Sequence, residues 1–448
     1  MSNVPMTLPH LMLACHDTTC GHSSSFVELN DGRILHVAGH WKNHSEDGGL
    51  TWTPMSEDRL VDVNGDPVGG GASCLVKLAD DGIGLAGLVT PPGTPSWCNG
   101  NLRQGMHVAF WRSHDRGATW QPPTDVSPPG SGTACLQDVA LRTHTGRIIL
   151  PVDTYLGQAI GPDNRTQPST GKLVRNQWIN TAGHFTDPHF STVIVFYSDD
   201  DGRTWQRNRD GDLFILHDWN SNFDFVVEPS VTEVAQGRLL MVMRTALGRL
   251  YQAWSDDHGE TWTRPMPTSL AATTTPAQIR TLPTGHLLCV WNQDSAEEVK
   301  RGFNRTRVSS AISRNGGSVW ELFQNIQSLH ETTRVEPGPI APVRPTEMYF
   351  EPGQPAPLRE AEHVLGAEAH GRWGYCSVLV LQDRVLIAHT YSDYQDHPSR
   401  AEIIRNPTDA EGNTINQKLK VLPLNWFYGG KAPADHPSLH QAHEPAKP

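Results

Sequence analysis

Residues 113–120 read SHDRGATW, and the same pattern, Ser-x-Asp-x-Gly-x-Thr-Trp, stands at 45–52 (SEDGGLTW), 198–205 (SDDDGRTW) and 255–262 (SDDHGETW). A fifth copy at 313–320 (SRNGGSVW) puts Asn315 in place of Asp and Val319 in place of Thr. Successive copies start 57 to 85 residues apart. That is the length of one four-stranded blade, so the repetition predicts a β-propeller.

The residue types of the repeat belong to a turn. Ser and Asp bond nearby backbone N–H groups with short side chains. Gly takes backbone angles that other residues avoid. Thr and Trp then re-enter a strand, and the Trp buries a large apolar surface between blades. Asp47, Asp115, Asp200 and Asp257 are therefore read as turn residues on the periphery, not as catalytic acids.

Around the boxes runs a second theme, an alternating strand, a turn and another strand. It appears as SSFVELNDGRILHVAG, SCLVKLADDGIGLAGL, DVALRTHTGRIILPV, PSVTEVAQGRLLMVMRT, AQIRTLPTGHLLCVWN and SVLVLQDRVLIAHTY. Five of these hairpins precede a box and the last has none. The expected fold is all-β, a six-bladed propeller over residues 20–431, after a lead-in at 1–19 and before a Pro- and His-rich tail at 432–448 expected to be disordered. Residues 418–428 (KLKVLPLNWFY) are expected to supply a closing strand or to pack on the outer face. Residues 209–225 and 327–369 read as irregular loops over one mouth of the channel.

Composition narrows the function. The chain has 448 residues and a net charge of −12, which argues against a sequence-independent nucleic-acid binder. No apolar run is long enough to span a bilayer, so neither nucleic acid nor membrane is an expected partner. Of the seven Cys, Cys74, Cys289 and Cys376 lie in apolar strand-like runs and read as buried free thiols. No Cys or His spacing has a metal-ligand pattern, and no metal or other cofactor is expected. The opening MSNVPMTLPHLMLAC has no basic start and is interrupted by Pro5 and Pro9, so a secretory leader is not expected. The expected location is cytoplasmic, or secreted or periplasmic if a leader has been trimmed.

Polar groups interrupt the strand pattern where channel-facing positions should lie. Arg244 ends the apolar run LLMVM, and Glu228 opens the same hairpin in VVEPS. A buried Arg is costly unless paired. The two residues read either as a structural ion pair or as a carboxylate and a guanidinium facing the channel.

VVEPSVTEVAQGRLLMVMRT with GRLYQAWSDDHGETW resembles the central blade of bacterial exo-sialidases (neuraminidases) and related Asp-box glycosidases. PAQIRTLPTGHLLCVWN, RTRVSSAISRNGGSVW and GYCSVLVLQDRVLIAHTY resemble the segments that follow it there, and the likeness covers residues 20–391. It implies an exo-acting glycoside hydrolase that removes terminal sialic acid or a related acidic sugar. The implied mechanism is retaining, with a Tyr nucleophile polarised by a Glu and with three Arg holding the substrate carboxylate. By the matching motifs, Tyr375 stands for the nucleophile, Glu228 for its base, and Arg244 and Arg305 for two of the Arg. The chemistry suits these residue types. Sialic acid carries a carboxylate on the reacting carbon, which would repel an anionic nucleophile, and a neutral Tyr avoids that cost. Arg offers a planar fork that matches a carboxylate. The bland readings are a strand aromatic for Tyr375 and a carbonyl-binding Arg305.

The chain departs from the pattern in two places. CGHSSSFVEL offers His22 where the family carries its first Arg. His22 could bind substrate or shuttle a proton, or it is a structural His. No segment matches the acid/base loop. Asp138 in LQDVAL is the candidate acid/base, with a capping or turn role as the alternative. The expected partner is a sialylated or other acidic glycan. The competing readings are a propeller glycosidase acting on a different sugar and a non-catalytic glycan-binding propeller. Convergence of Glu228, Arg244, Arg305 and Tyr375 at one channel mouth is the feature that separates a site from scattered strand residues.

Overall fold

In a computed structural model, the chain is described at residues 11–14, 24–38, 41–55, 60–68, 72–89, 106–135, 137–159, 171–174, 177–180, 186–216, 225–245, 247–294, 305, 307–328, 370–394, 404–405 and 415–439. Six antiparallel sheets form six blades around one axis. The first blade runs Ser24–Glu28, Ile34–Ala38, Trp41–Ser45, Thr53–Pro54. The second runs Ala72–Lys77, Ile83–Val89, His107–Ser113, Thr124–Asp125. The fourth runs Val227–Ala235, Arg238–Arg244, Arg249–Ser255, Met266–Ala271. The fifth runs Gln278–Thr281, Leu287–Trp291, Arg307–Ser313, Glu321–Ser328. First strands of neighbouring blades lie against one another, which makes them the lining of the hub.

The third blade differs. Its inner strand is split into Thr133–Ala134 and Leu141–Arg142, both paired with Ile148–Ala159, and Thr186–Ser198 and Gln206–Arg207 complete it. The break leaves Gln137 and Asp138 outside any ladder. The pattern DVALRTHTGRIILPV predicts a continuous pair, but its first strand pairs only at Leu141 and Arg142.

The sixth blade is completed from both ends of the chain. His370–Val380, Arg384–Tyr394 and Ile415–Pro423 pair in that order, and Leu11–Ala14 adds the outermost strand. Residues 11–14 of the expected lead-in thus pair with the final strand, which ties the N-terminal segment into the ring. After it, Leu424–Tyr428 is a 3-10 turn with Trp426, Phe427 and Tyr428 buried. Part of the expected disordered tail is ordered. Leu439 N donates to Arg314 O at 2.9 Å, and Arg314 Nη1 donates to Pro437 O at 2.8 Å. Residues 433–439 therefore fold back on the fifth box. Of the two segments expected as loops over the mouth, residues 217–224 and 329–369 lie outside the described residues.

Burial explains why the ring closes. The core is six apolar clusters, each straddling two adjacent blades. One joins Leu35 and Val37 to Leu75 and Leu85, and another joins Phe26 and Ile34 to Leu386 and Leu419 across the closure. The box Trp side chains fill these seams as expected: Trp262 sits with Ile149 and Leu239, and Trp320 with Leu240. Each fully buried Leu or Ile contributes about 1.5–3 kcal/mol relative to exposure.

The boxes behave as turns. In residues 113–120, Asp115 accepts from Thr119 N at 2.8 Å and Thr119 Oγ1 at 2.5 Å, while the Ser113 hydroxyl donates to Asp115 at 2.7 Å. The other three clean boxes repeat these bonds. The box Gly is required twice over. Gly202 has φ +77°, and a Cβ there would stand 2.2 Å from the Phe110 ring of the preceding blade. Gly49 meets Leu386 across the ring closure in the same way, at 2.3 Å.

Cys74, Cys135, Cys289 and Cys376 are buried thiols outside any disulfide, as expected for three of them. No helix among the described residues is long and apolar enough to cross a membrane.

Candidate functional site

Two hub strands carry the same irregularity. Pairing of Val227–Ala235 with Arg238–Arg244 slips between Val227 and Ser230. Pairing of His370–Val380 with Arg384–Tyr394 slips between Gly374 and Ser377. Each bulge leaves two residues off the ladder, Glu228–Pro229 in one and Tyr375–Cys376 in the other. Pro229 suits such a place because it has no N–H to give to the ladder. The leading residue of each bulge takes left-handed backbone angles, φ +46° at Glu228 and +48° at Tyr375. Such angles cost energy in a non-Gly residue, and they persist only where the surroundings over-determine them.

The bulges aim the two side chains at each other. The Tyr375 hydroxyl donates to Glu228 Oε1 at 2.8 Å. Arg244, at the end of the strand paired with Glu228's, donates through Nη1 to Glu228 Oε2 at 2.6 Å and to the Tyr375 oxygen at 3.2 Å. Thr274 Oγ1 accepts from Arg244 Nε at 3.1 Å and fixes the guanidinium plane. Arg305, also left-handed at φ +61°, lays its guanidinium 5.1 Å from the centre of the Tyr375 ring. A Cβ on Gly374 would make an ordinary contact with Arg305 Cδ at 3.5 Å and a tight one with Asn292 Oδ1 at 3.2 Å. Glu228, Arg244, Arg305 and Tyr375 therefore meet in one cluster.

Electrostatics keep the proton on the phenol at rest. Burial works to raise the Glu228 carboxyl, but the Arg244 charge, the bonds from Arg244 and Tyr375, and Arg305 outweigh it and hold the carboxyl below its usual range. Burial and the Glu228 charge push the Tyr375 phenol up, against Arg244 and Arg305. The cluster at neutral pH is a carboxylate accepting from a neutral phenol, with two cations beside them.

Side-chain hydrogen bonds hold the bulges, most of them from neighbouring blades and one, from Thr390, within the sixth blade. Asp153 Oδ1 accepts from Glu228 N at 2.6 Å. Gln137 Nε2 donates to Glu228 O at 2.7 Å and to Pro229 O at 2.8 Å. At the other bulge, Asn292 Nδ2 donates to Trp373 O at 3.0 Å and Thr390 Oγ1 to Gly374 O at 3.0 Å. Sequence reasoning missed these residues, although one signal exists for two of them. Arg244 stands out because it ends an apolar run, and Asp153 ends IILPV and Asn292 ends LLCVW in the same way. Gln137 carries no such signal, because it lies in the break of the third blade.

Asp138 is not brought to the cluster. Its carboxylate accepts from Ser25 Oγ at 2.7 Å and from Arg280 Nη2 at 2.7 Å. Burial pushes its carboxyl up in spite of Arg280. It lines a separate cavity of about 680 Å³ with Arg142, Glu233, Arg280 and Val380, toward the C-terminal ends of the hub strands. Asp138 thus links the third blade to the fifth through an ion pair with Arg280 and to the first through the Ser25 hydroxyl. His22 lies outside the described residues. Among the described residues, no group of three or more His, Cys, Asp or Glu side chains is placed to hold a metal ion.

Known proteins with this shape carry the same architecture. The chain superposes on the Hadza microbial sialidase Hz136 with a TM-score of 0.54 at 15% identity, covering 93% of this chain and 69% of that one. A K499G mutant of the NanB sialidase from Streptococcus pneumoniae gives 0.55 at 12%, covering 95% and 73%. A protein of unknown function from Dyadobacter fermentans gives 0.51 at 16%, covering 92% and 99%. These likenesses establish the propeller fold. A family model described as a BNR repeat-like domain matches residues 96–387. With that match over more than half its length, with its Asp boxes and with its six blades, the chain belongs to the BNR repeat-like family.

Proposed function

We propose that the protein is an exo-acting glycoside hydrolase that releases a terminal sialic acid, or a related acidic sugar, from glycans by a retaining mechanism. The observation that carries this reading is the Tyr375–Glu228 hydrogen bond of 2.8 Å, with Arg244 bonded to both side chains. A nucleophile bonded to its base, with that base oriented by a third group, is the arrangement that covalent catalysis needs.

In the first step the Tyr375 oxygen bonds to the anomeric carbon as the bond to the leaving oxygen breaks. The phenol proton passes to Glu228, and the leaving oxygen takes a proton from a general acid or water. In the second step water displaces Tyr375 from the sugar and gives a proton to the group that protonated the leaving oxygen, which regenerates it, while Glu228 returns its proton to the phenol oxygen. Two displacements at one carbon retain its configuration. The raised phenol and the lowered carboxyl make the proton transfer uphill at rest, so it accompanies bond formation. Arg244 and Arg305 supply the positive field that a sugar carboxylate needs, and Arg presents the fork for it.

A panel of fluorogenic glycosides tests the reading. α-Sialosides are expected to be hydrolysed, with the released sugar first seen by NMR in the retained configuration. Hydrolysis confined to neutral glycosides would overturn the acidic-sugar assignment. Saturable glycan binding without turnover of any glycoside would favour the non-catalytic reading.

A further inference from the structure

We propose that Gln137 is a positioning residue for Glu228: from the preceding blade, its amide clamps the bulge that turns the Glu228 carboxylate onto Tyr375. This rests on the reading of Glu228 and Tyr375 as the reacting pair.

Glu228 sits in a conformation that the chain does not adopt by itself. Its φ is +46°, and a strand residue with left-handed angles gives up its ladder bonds. The polar groups so released need partners, because a buried unpaired carbonyl or amide is costly. Gln137 and Asp153, both on the third blade, are such partners. Gln137 Nε2 binds the carbonyls of Glu228 and Pro229 at 2.7 and 2.8 Å, and Asp153 binds the Glu228 N–H at 2.6 Å. Two carbonyls side by side demand a donor with two hydrogens. A neutral side-chain NH₂ meets that demand, and the flipped amide would set oxygen against oxygen. The orientation of Gln137 is therefore fixed by its partners.

Gln137 carries a penalty at its other end. It is 2% exposed, and its Oε1 has no hydrogen-bond partner among the described residues. An apolar residue of the same shape would avoid that penalty but would release the two carbonyls. The broken inner strand of the third blade serves the same end. By leaving the ladder between Ala134 and Leu141, it brings Gln137 across to the fourth blade. The second bulge has a parallel device, in which the Asn292 amide of the fifth blade donates to Trp373 O just before Tyr375.

Gln137→Met keeps the length and removes both donors, and Gln137→Glu keeps the shape but, when ionised, donates nothing. The first readout is the ζ-carbon chemical shift of Tyr375 in ¹³C-tyrosine-labelled protein, assigned by its loss in Tyr375→Phe. In Gln137→Met the signal should move toward its position in Glu228→Ala, because the phenol has lost its acceptor. The second readout is turnover of the fluorogenic sialoside. kcat should fall about 100-fold, as for a reacting group displaced by about 1 Å, with KM near wild type. For Gln137→Glu, the ratio of its kcat to wild type should rise as pH falls and the acid regains a donor. This arm stands if the Met variant does not fold. A signal unmoved in Gln137→Met but moved in Glu228→Ala, or wild-type kcat in either variant, overturns the proposal. If Tyr375→Phe keeps full turnover, the Tyr mechanism falls, and the chemical shift still decides whether Gln137 positions Glu228.

Discussion

Tyr375 and Glu228 stand 147 positions apart in sequence and share a hydrogen bond of 2.8 Å, each from the leading residue of a β-bulge on a hub strand. The propeller makes this possible by pointing the first strand of every blade at one axis. The bulges make it specific, since each takes its leading residue off the ladder and re-aims its side chain. Arg244 joins the pair from the neighbouring strand, so three groups form one hydrogen-bonded unit.

That unit sets the expected behaviour of Arg244→Ala. Arg244 bonds to both Glu228 and Tyr375, which in the proposed mechanism are base and nucleophile beside a sugar carboxylate, so kcat should fall along with a rise in KM. Removing one member of a buried ion pair should also destabilise the fold by about 3 kcal/mol. Glu228 now titrates below its usual range, because the Arg244 charge and bonds outweigh burial. Without Arg244 its carboxyl rises, and the acid limb of the kcat–pH profile should move to higher pH. Measured kcat and KM across pH check this; an unmoved acid limb would show that Glu228 is not the base.

The boxes should govern stability and leave chemistry alone. Asp115→Ala removes an acceptor for Ser113 and for Thr119, and should lower stability by about 2 kcal/mol with kcat of the folded protein unchanged. Burial opposes it, yet the Thr119 and Ser113 bonds hold the Asp115 carboxyl down to about 2, against 3.8 ordinarily. The contribution of these bonds is therefore present above pH 3.8 and is lost as pH falls toward 2. Thermal melts of the variant and wild type should converge at that acidic end.

His36 should make the fold acid-sensitive. It is fully buried, tilted against Phe26 at 4.5 Å and edge-on to Trp52 at 5.8 Å between ring centres, with no hydrogen-bond partner for either ring nitrogen among the described residues. Burial pushes its imidazole down to about 3 from 6.5. The folded state thus keeps it neutral while the unfolded chain binds a proton below pH 6.5, and stability falls as pH drops from 6.5 toward 3. His36→Leu removes that contribution. Urea unfolding should show the variant gaining about 2 kcal/mol on wild type between pH 7.5 and pH 5; a constant difference would contradict the account.

The propeller was legible in the sequence because the boxes are local. Each turn is built within eight residues, so its pattern survives in one dimension. Six blades followed from six hairpins, and Glu228 and Arg244 stood out as polar breaks in apolar runs. Tyr375 and Arg305 came through the family resemblance, since a Tyr or an Arg near a strand has many uses. The clamps were less visible. Gln137 acts through its neighbour's backbone, and its position depends on a strand break that the pattern DVALRTHTGRIILPV conceals. The partners of Asp138 were hidden for the same reason, because Ser25 and Arg280 come from the first and fifth blades. The closing strand Leu11–Ala14 escaped because its partner lies at the other end of the chain.

The central claim is that Tyr375 attacks the sugar, and trapping the covalent intermediate tests it most directly. 2,3-Difluorosialic acid is the trapping reagent to apply. After incubation and proteolysis, peptide mass spectrometry should find the fluorosialyl adduct on the peptide containing Tyr375, with fragment ions placing it on that residue and with no adduct in Tyr375→Phe. An adduct on another residue, or a Tyr375→Phe variant that is labelled and turns over sialosides as the wild type does, would contradict it.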